Sequence, residues 1–309
     1  MPFWKNGRSA PFLSGKPKTI KGVRTIKLSK IFALLLALCL ISSAACAATF
    51  TDAHGNVIEL DDSLEAYAAV TLVGADNAAR QGETNLGDLW ADALRWFAVS
   101  GEINAAFDED DVKAGNDRIA VDADHVVALW NGGNLRADIA EGTFGAEALA
   151  EVLPFPNKVA VVYMTGAQLL ETLEAASQGL PYTAETADAC ASLMQVSGLT
   201  YTVDTTKAYD ALETYGDHWF TAGSVSRVRI DGVNGQPFDA EATYAVVTSN
   251  ANFNGMDSSY VLKAAAEANE QSAVTTAVVR DVVFRFIAAE LNHQVGEAYA
   301  APQGRLTVL

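Results

Sequence analysis

Residues 49–309 predict a single α+β domain. Three observations support this prediction. Strand-type and helix-type apolar patterns alternate along the whole segment, 50% of residues are hydrophobic, and no internal repeat or low-complexity linker marks a second domain. A mean hydropathy of +0.12 with 19% charged residues excludes a largely disordered polymer.

The elements follow in order. Residues 49–60 alternate around an Asn-containing turn and read as two short strands, and 66–74 reads as a buried strand. From Glu83 to Phe97, Leu86, Leu89, Trp90, Ala93, Leu94 and Phe97 recur at helical spacing, with Thr84 or Asn85 as cap. Residues 101–124 are polar and acidic, hence a loop. His125–Trp130 is a buried strand that runs into Asn131-Gly132-Gly133-Asn134-Leu135-Arg136. Lys158–Thr165 is a strand, and Gly166–Ser177 is an amphipathic helix with Leu169, Leu170 and Leu173 inward. Met194–Val203 and Ser226–Ile230 read as strands, with Asn234-Gly235 as a hairpin-type turn between Ile230 and Tyr244. Thr243–Ser249 is a strand leading into a loop from Asn250 to Asp257, and Val274–Leu291 reads as one long helix.

Charge is unevenly distributed. The formal net charge is −17, yet residues 1–47 hold eight Lys or Arg and no acid. Without that segment, 21 − 8 = 13 basic residues face 38 acids, a net charge of −25. Such a body repels polyanions, so nucleic acid is not an expected partner. The apolar run Ile31–Ala48 follows a basic stretch and ends in small residues around Ala45-Cys46-Ala47, the pattern of an export signal. A retained membrane anchor is the alternative, because the run approaches spanning length. The expected division is therefore an N-terminal basic and apolar segment over 1–48 and a domain over 49–309, outside the cytoplasm. Cys190 alone lies beyond the leader, so the domain has no internal disulfide and relies on core packing.

Four segments carry the chemistry. They are Arg80–Leu89 with Ala91-Asp92-Ala93; Asn131–Arg136; Leu153-Pro154-Phe155-Pro156-Asn157 with Met164–Leu169; and Gln195–Tyr201 with Thr243-Tyr244 and Phe253–Asp257. In this order and spacing, from about residue 75 to the C-terminus, they resemble the C-terminal domain of the 5′-nucleotidase family. The resemblance implies layered mixed sheets flanked by helices and a site for a nucleotide or nucleoside. The residues themselves suit that role. Glycines after a buried strand let the backbone turn sharply at a strand end, Arg136 offers a planar fork of donors, and Phe155 lies between two prolines as a rigid aromatic. Two phenyl faces around a base supply roughly 1–3 kcal/mol per base by stacking. By resemblance, Arg80, Asn131, Arg136, Phe155, Phe253 and Asp257 hold the nucleoside, with Asp257 accepting from a ribose or a base edge. As alternatives, Arg80 is a solvated surface residue, Asn131 caps a turn, and Phe155 belongs to the core.

The chain departs from the family pattern in two places. Asn134 stands where the family has a third glycine. The loop Phe253-Asn254-Gly255-Met256-Asp257-Ser258-Ser259-Tyr260 is about two residues shorter, with Met256 and Ser258 in place of glycines. Left-handed backbone is costly for Met or Ser, so another loop path is expected.

In the family, hydrolysis depends on two metal ions held by an N-terminal metallophosphatase domain. The four histidines, His54, His125, His218 and His293, are scattered, and Asp52-Ala53-His54 is not completed downstream. No P-loop, Gly-x-Ser-x-Gly elbow or CxxC pair is present. The expectation is a recognition module without catalytic residues or a cofactor of its own. Its partners would be a nucleotide or nucleoside, a separate metallophosphatase subunit for any hydrolysis, and a membrane if the N-terminal segment is retained. Alternatives are a stand-alone nucleoside-binding protein and a degenerate remnant.

Overall fold

The computed structural model describes residues 48–51, 57–60, 65–107, 119, 121–215, 219–222 and 224–309. The expectations for 1–47, for Asp52-Ala53-His54 and for His218 lie outside the described residues. Residues 46–309 form one compact unit. Among the described residues, no helix is long and apolar enough to cross a membrane.

The first pair, β1 (Ala48–Thr51) and β2 (Val57–Leu60), is the expected antiparallel hairpin. Next come β3 (Glu65–Ala68), the short α1 (Ala78–Gln81) and α2 (Asn85–Val99). The α2 cap is Thr84, whose hydroxyl accepts from the Gly87 N–H at 3.0 Å. All six apolar positions of the predicted face are fully buried. The acidic loop holds a 3₁₀ turn, Glu102–Ala106, pinned by the buried Ile103.

A five-stranded mixed sheet organises the rest, in the order β13-β6-β12-β4-β7. It consists of β4 (Val126–Asn131), β6 (Lys158–Thr165), β7 (Met194–Ser197), β12 (Thr243–Ser249) and β13 (Ala273–Val278). All six residues of β4 are buried because both faces of the sheet are covered. Alternation divides the strands between two cores. Val126, Ala128, Trp130, Val161, Tyr163, Ala245 and Val247 face the first, with α2 and with α7 (Val279–Ala289). Val127, Leu129, Val162, Met164 and Val246 face the second, with α4 (Gly166–Ala176) and α6 (Tyr260–Ala268). Trp90 of α2 meets Trp130 with ring centroids 6.2 Å apart. The sheet is thus the middle of three layers, the α+β class with mixed sheets flanked by helices. Smaller sheets complete the fold. They are β14-β3-β5, with β5 (Gly142–Gly145) and β14 (Gln294–Val295); β11-β8-β15, with β8 (Leu199–Val203), β11 (Val228–Val233) and β15 (Leu306–Val308); and the hairpin of β9 (Ala211–Tyr215) with β10 (Trp219–Ala222). Two further helices are α3 (Ala146–Val152) and α5 (Asn250–Phe253).

Several local expectations change: the strand expected over 66–74 is only Glu65–Ala68, and the loop expected from Asn250 opens with the helical turn α5. Met194–Val203 is two strands, because Gly198 takes φ +80° and sends β7 and β8 into different sheets. Asn234 and Gly235 do form a tight turn, with φ of 47° and 77°. It closes only the bridge Val233↔Gln236, while β11 pairs with β8 and β12 pairs with β6 and β4. The helix expected from Val274 starts at Val279. Val274, Thr275, Thr276 and Val278 lie in β13, beside β6, where β-branched side chains are favoured.

Candidate functional site

The C-terminal end of β4 is where the predicted residues meet. After Asn131, residues Gly132–Asn134 make one 3₁₀ turn. Gly132 is needed for close approach, since a Cβ there would lie 1.9 Å from the Ala79 carbonyl oxygen of α1. Gly133 presses likewise on Ala191, where a Cβ would fall 2.6 Å from that residue's own Cβ. The two glycines therefore bring α1, which carries Arg80, and the 189–192 turn against the strand end.

Asn131 is fully buried. Its Nδ2 donates to Asp257 Oδ2 at 2.8 Å, and its Oδ1 accepts from Asn134 Nδ2 at 2.8 Å. Arg80 is buried rather than a solvated surface residue. It donates through Nη1 to the Ala187 carbonyl at 2.9 Å and lies 3.7 Å from the exposed Asp188 carboxylate. Burial pushes the Asp257 carboxyl above the usual carboxylate range, and the Arg80 and Arg136 charges pull it back down. Arg136, held by its own N–H to the Val152 carbonyl at 2.9 Å, places its guanidinium 5.7 Å from the centre of the Phe155 ring. Phe155 does not belong to the core; it is 42% exposed. Arg80, Asn131, Arg136 and Asp257 thus form one cluster, and Arg136 links Phe155 to it.

Phe253 differs from Phe155. It ends α5, is half-buried and packs against the second core. The loop beyond it takes left-handed backbone at Gly255 (φ 91°), Asp257 (φ 51°) and Ser258 (φ 60°). Ser258, in a family glycine position, therefore bears strain on the order of 1 kcal/mol, whereas Met256 escapes it. Gln178 Nε2 donates to Ser258 Oγ and holds the loop from the other side. Asn134 has no positive φ, so its side chain enters the relay without backbone cost.

Most of the first motif has another job. Glu83 Oε2 accepts from the Leu306 N–H at 3.0 Å, Asp88 Oδ2 accepts from the Gln303 N–H at 2.9 Å, and Asn85 Nδ2 donates to the Tyr299 carbonyl at 2.9 Å. Asp92 takes Arg305 in two bonds, at 2.8 and 2.9 Å, and accepts from the Tyr299 hydroxyl at 2.9 Å. These side chains clasp the C-terminal strap onto α2. Sequence reasoning missed this clasp and the role of Asn134; in both cases the sign was a polar residue at an apolar helix or turn position.

Two concavities lie apart from the cluster, one of about 520 Å³ between α3 and α7, the other of about 560 Å³ beside Thr84 and Pro302. Neither is lined by a residue of the cluster; the first has charged groups of its own, Glu147, Arg280, Asp281 and Arg285. Among the described residues, no group of three or more His, Cys, Asp or Glu is placed to hold a metal ion. Cys190 is a free, buried thiol, pushed up by burial.

A strand-end Asn, two arginines, a half-buried Asp and an exposed aromatic are thus set on a three-layer fold. The chain belongs to the 5′-nucleotidase family through its C-terminal domain, whose family model matches residues 65–264. It is 29% identical over 186 residues to the Trifunctional nucleotide phosphoesterase protein YfkN of Bacillus subtilis (strain 168), spanning 60% of this chain and 10% of that one. Among solved structures it is similar to the 5′-nucleotidase precursor of Thermus thermophilus, at 26% identity and a TM-score of 0.57, over 91% of this chain and 43% of that one. It shares the fold of the Haemophilus influenzae NAD nucleotidase (NadN), at 14% identity and a TM-score of 0.53, over 91% and 42%. The chain spans less than half the length of each of these proteins.

Proposed function

We propose that residues 49–309 are an exported module that recognises a nucleotide or nucleoside, and that any phosphate-ester hydrolysis is performed by metal-bearing machinery beyond this segment. The observation that carries the reading is the convergence of Asn131, Arg80, Arg136 and Asp257 beside the exposed Phe155 ring. Phe155 offers a face for a base, Asp257 accepts from ribose hydroxyls, and the arginines face anionic groups. Phe253 forms the second aromatic wall to the extent that its packing leaves it open. The family's chemistry implies a divalent metal pair, and the described residues do not fit one. The basic and apolar N-terminal segment supports export, by cleavage or as an anchor.

Calorimetry of the full chain with adenosine and AMP tests the recognition half of the reading. Saturable binding that weakens in Phe155→Ala supports it, and no heat with either ligand refutes it. Phosphate release from AMP in excess Mn²⁺ or Mg²⁺ tests the other half. Absence of turnover is expected; turnover by residues 49–309 alone overturns the reading. Hydrolysis restored by an added metallophosphatase selects complementation over a stand-alone nucleoside binder.

A further inference from the structure

The hydrogen-bond chain behind the site has a direction. Asn134 Nδ2 donates to Asn131 Oδ1 at 2.8 Å, and Asn131 Nδ2 donates to Asp257 Oδ2 at 2.8 Å. Both asparagines are buried, so every amide atom there needs a partner of the right polarity. With Asn131 reversed, its oxygen meets the Asp257 carboxylate, acceptor against acceptor, and its NH₂ meets that of Asn134, donor against donor. With both amides reversed, the second mismatch disappears but the first remains. An ionised Asp257 therefore admits one arrangement.

We propose that Asn134 is a positioning residue for the ligand site: it fixes the Asn131 amide so that its NH₂ faces Asp257, keeping that carboxylate ready to accept from a ligand's hydroxyl groups. The inference rests on the nucleoside-recognition reading for its purpose, but the relay itself exists without a ligand. Two charged side chains act on Asp257 directly, Arg80 from α1 and Arg136 from the far side of the turn. Asp188 enters through Arg80, 3.7 Å away. None of the three makes a hydrogen bond to Asn134 among those of the described residues.

Carbon-detected NMR of the ligand-free full chain gives the test. In the wild type, the side-chain NH₂ signals of Asn131 and Asn134 are expected to move together as Asp257 titrates, with Asp257→Asn as the assignment control. In Asn134→Ala, the buried Asn131 oxygen loses its donor, the amide no longer stays aligned with its NH₂ on Asp257, and the Asp257 midpoint rises. An unchanged midpoint in a folded Asn134→Ala overturns the proposal. Should that variant not fold, NH₂ signals in the wild type that ignore the Asp257 titration overturn it equally. Adenosine affinity supplies the functional readout. In Asn134→Ala its loss on acidification should set in at a higher pH than in the wild type, shifted by the same interval as the midpoint. A merely structural residue would lower affinity equally at all pH values. If the midpoint shifts but the wild type binds no adenosine, the relay stands and the nucleoside reading fails.

Discussion

Replacing Asp88 by Asn tests the clasp between α2 and the C-terminal strap. Asp88 is fully buried, and its Oδ1 has no hydrogen-bond partner, like Oε1 of the neighbouring Glu83. Burial pushes the Asp88 carboxyl up to about 8; the Arg305 guanidinium, 3.8 Å away, opposes the rise and the Glu83 charge reinforces it. A proton held on Asp88 and donated to Glu83 accounts for both orphaned oxygens. Because the folded-state pKa is raised above 3.8, the stabilisation is complete below 3.8 and is lost as pH rises through about 8. Inside that window one proton corresponds to about 1.4 kcal/mol per pH unit. Between pH 6 and pH 8 the wild type therefore loses up to about 3 kcal/mol, a Tm decrease of roughly 6–12 °C at about 2–4 °C per kcal/mol. The amide introduced by Asp88→Asn keeps the oxygen that Gln303 uses and aims an NH₂ at Glu83 Oε1, so it removes this dependence. Thermal unfolding followed by circular dichroism from pH 5 to pH 9 should show the Tm gap opening in the variant's favour as pH rises. A gap that stays constant across the range refutes the proton on Asp88.

Other consequences are as direct. Phe155→Ala should weaken adenosine binding by about 1–3 kcal/mol, roughly 5- to 150-fold in Kd by calorimetry, with little change in Tm because the ring is exposed. Gly132→Ala places a methyl against the Ala79 carbonyl and should cost about 1–3 kcal/mol in chemical denaturation while abolishing adenosine binding, since α1 and Arg80 are pushed away. Arg305→Ala leaves Asp92 without its two-bond partner and should destabilise by about 2–3 kcal/mol, with proteolysis concentrated in residues 297–309.

The layered core was legible because its signals are local and strong. The α2 face, the β4 run and the strands β6 and β12, whose bounds match the expectation, follow from periodicity and burial alone. Tertiary partners decided what was misread. Gly198 splits a strand because β7 and β8 have different neighbours, and Val274–Val278 becomes strand because β6 offers an open edge. The alanine-rich α6 and the short α3 were not anticipated, their patterns being too brief to separate from loop. At the site, glycines, proline-flanked Phe155 and Arg136 announced themselves by residue type. Asn134 and the Glu83–Asp92 clasp did not, since a polar side chain reveals its partner only when the chain closes.

A crystal structure of the full chain with adenosine bound tests the central claim most directly. The account predicts a base against the Phe155 ring and ribose hydroxyls on the Asp257 carboxylate, with Arg136 alongside. Adenosine seated instead in the groove between α3 and α7, with the Asn131–Asp257 cluster untouched, contradicts it.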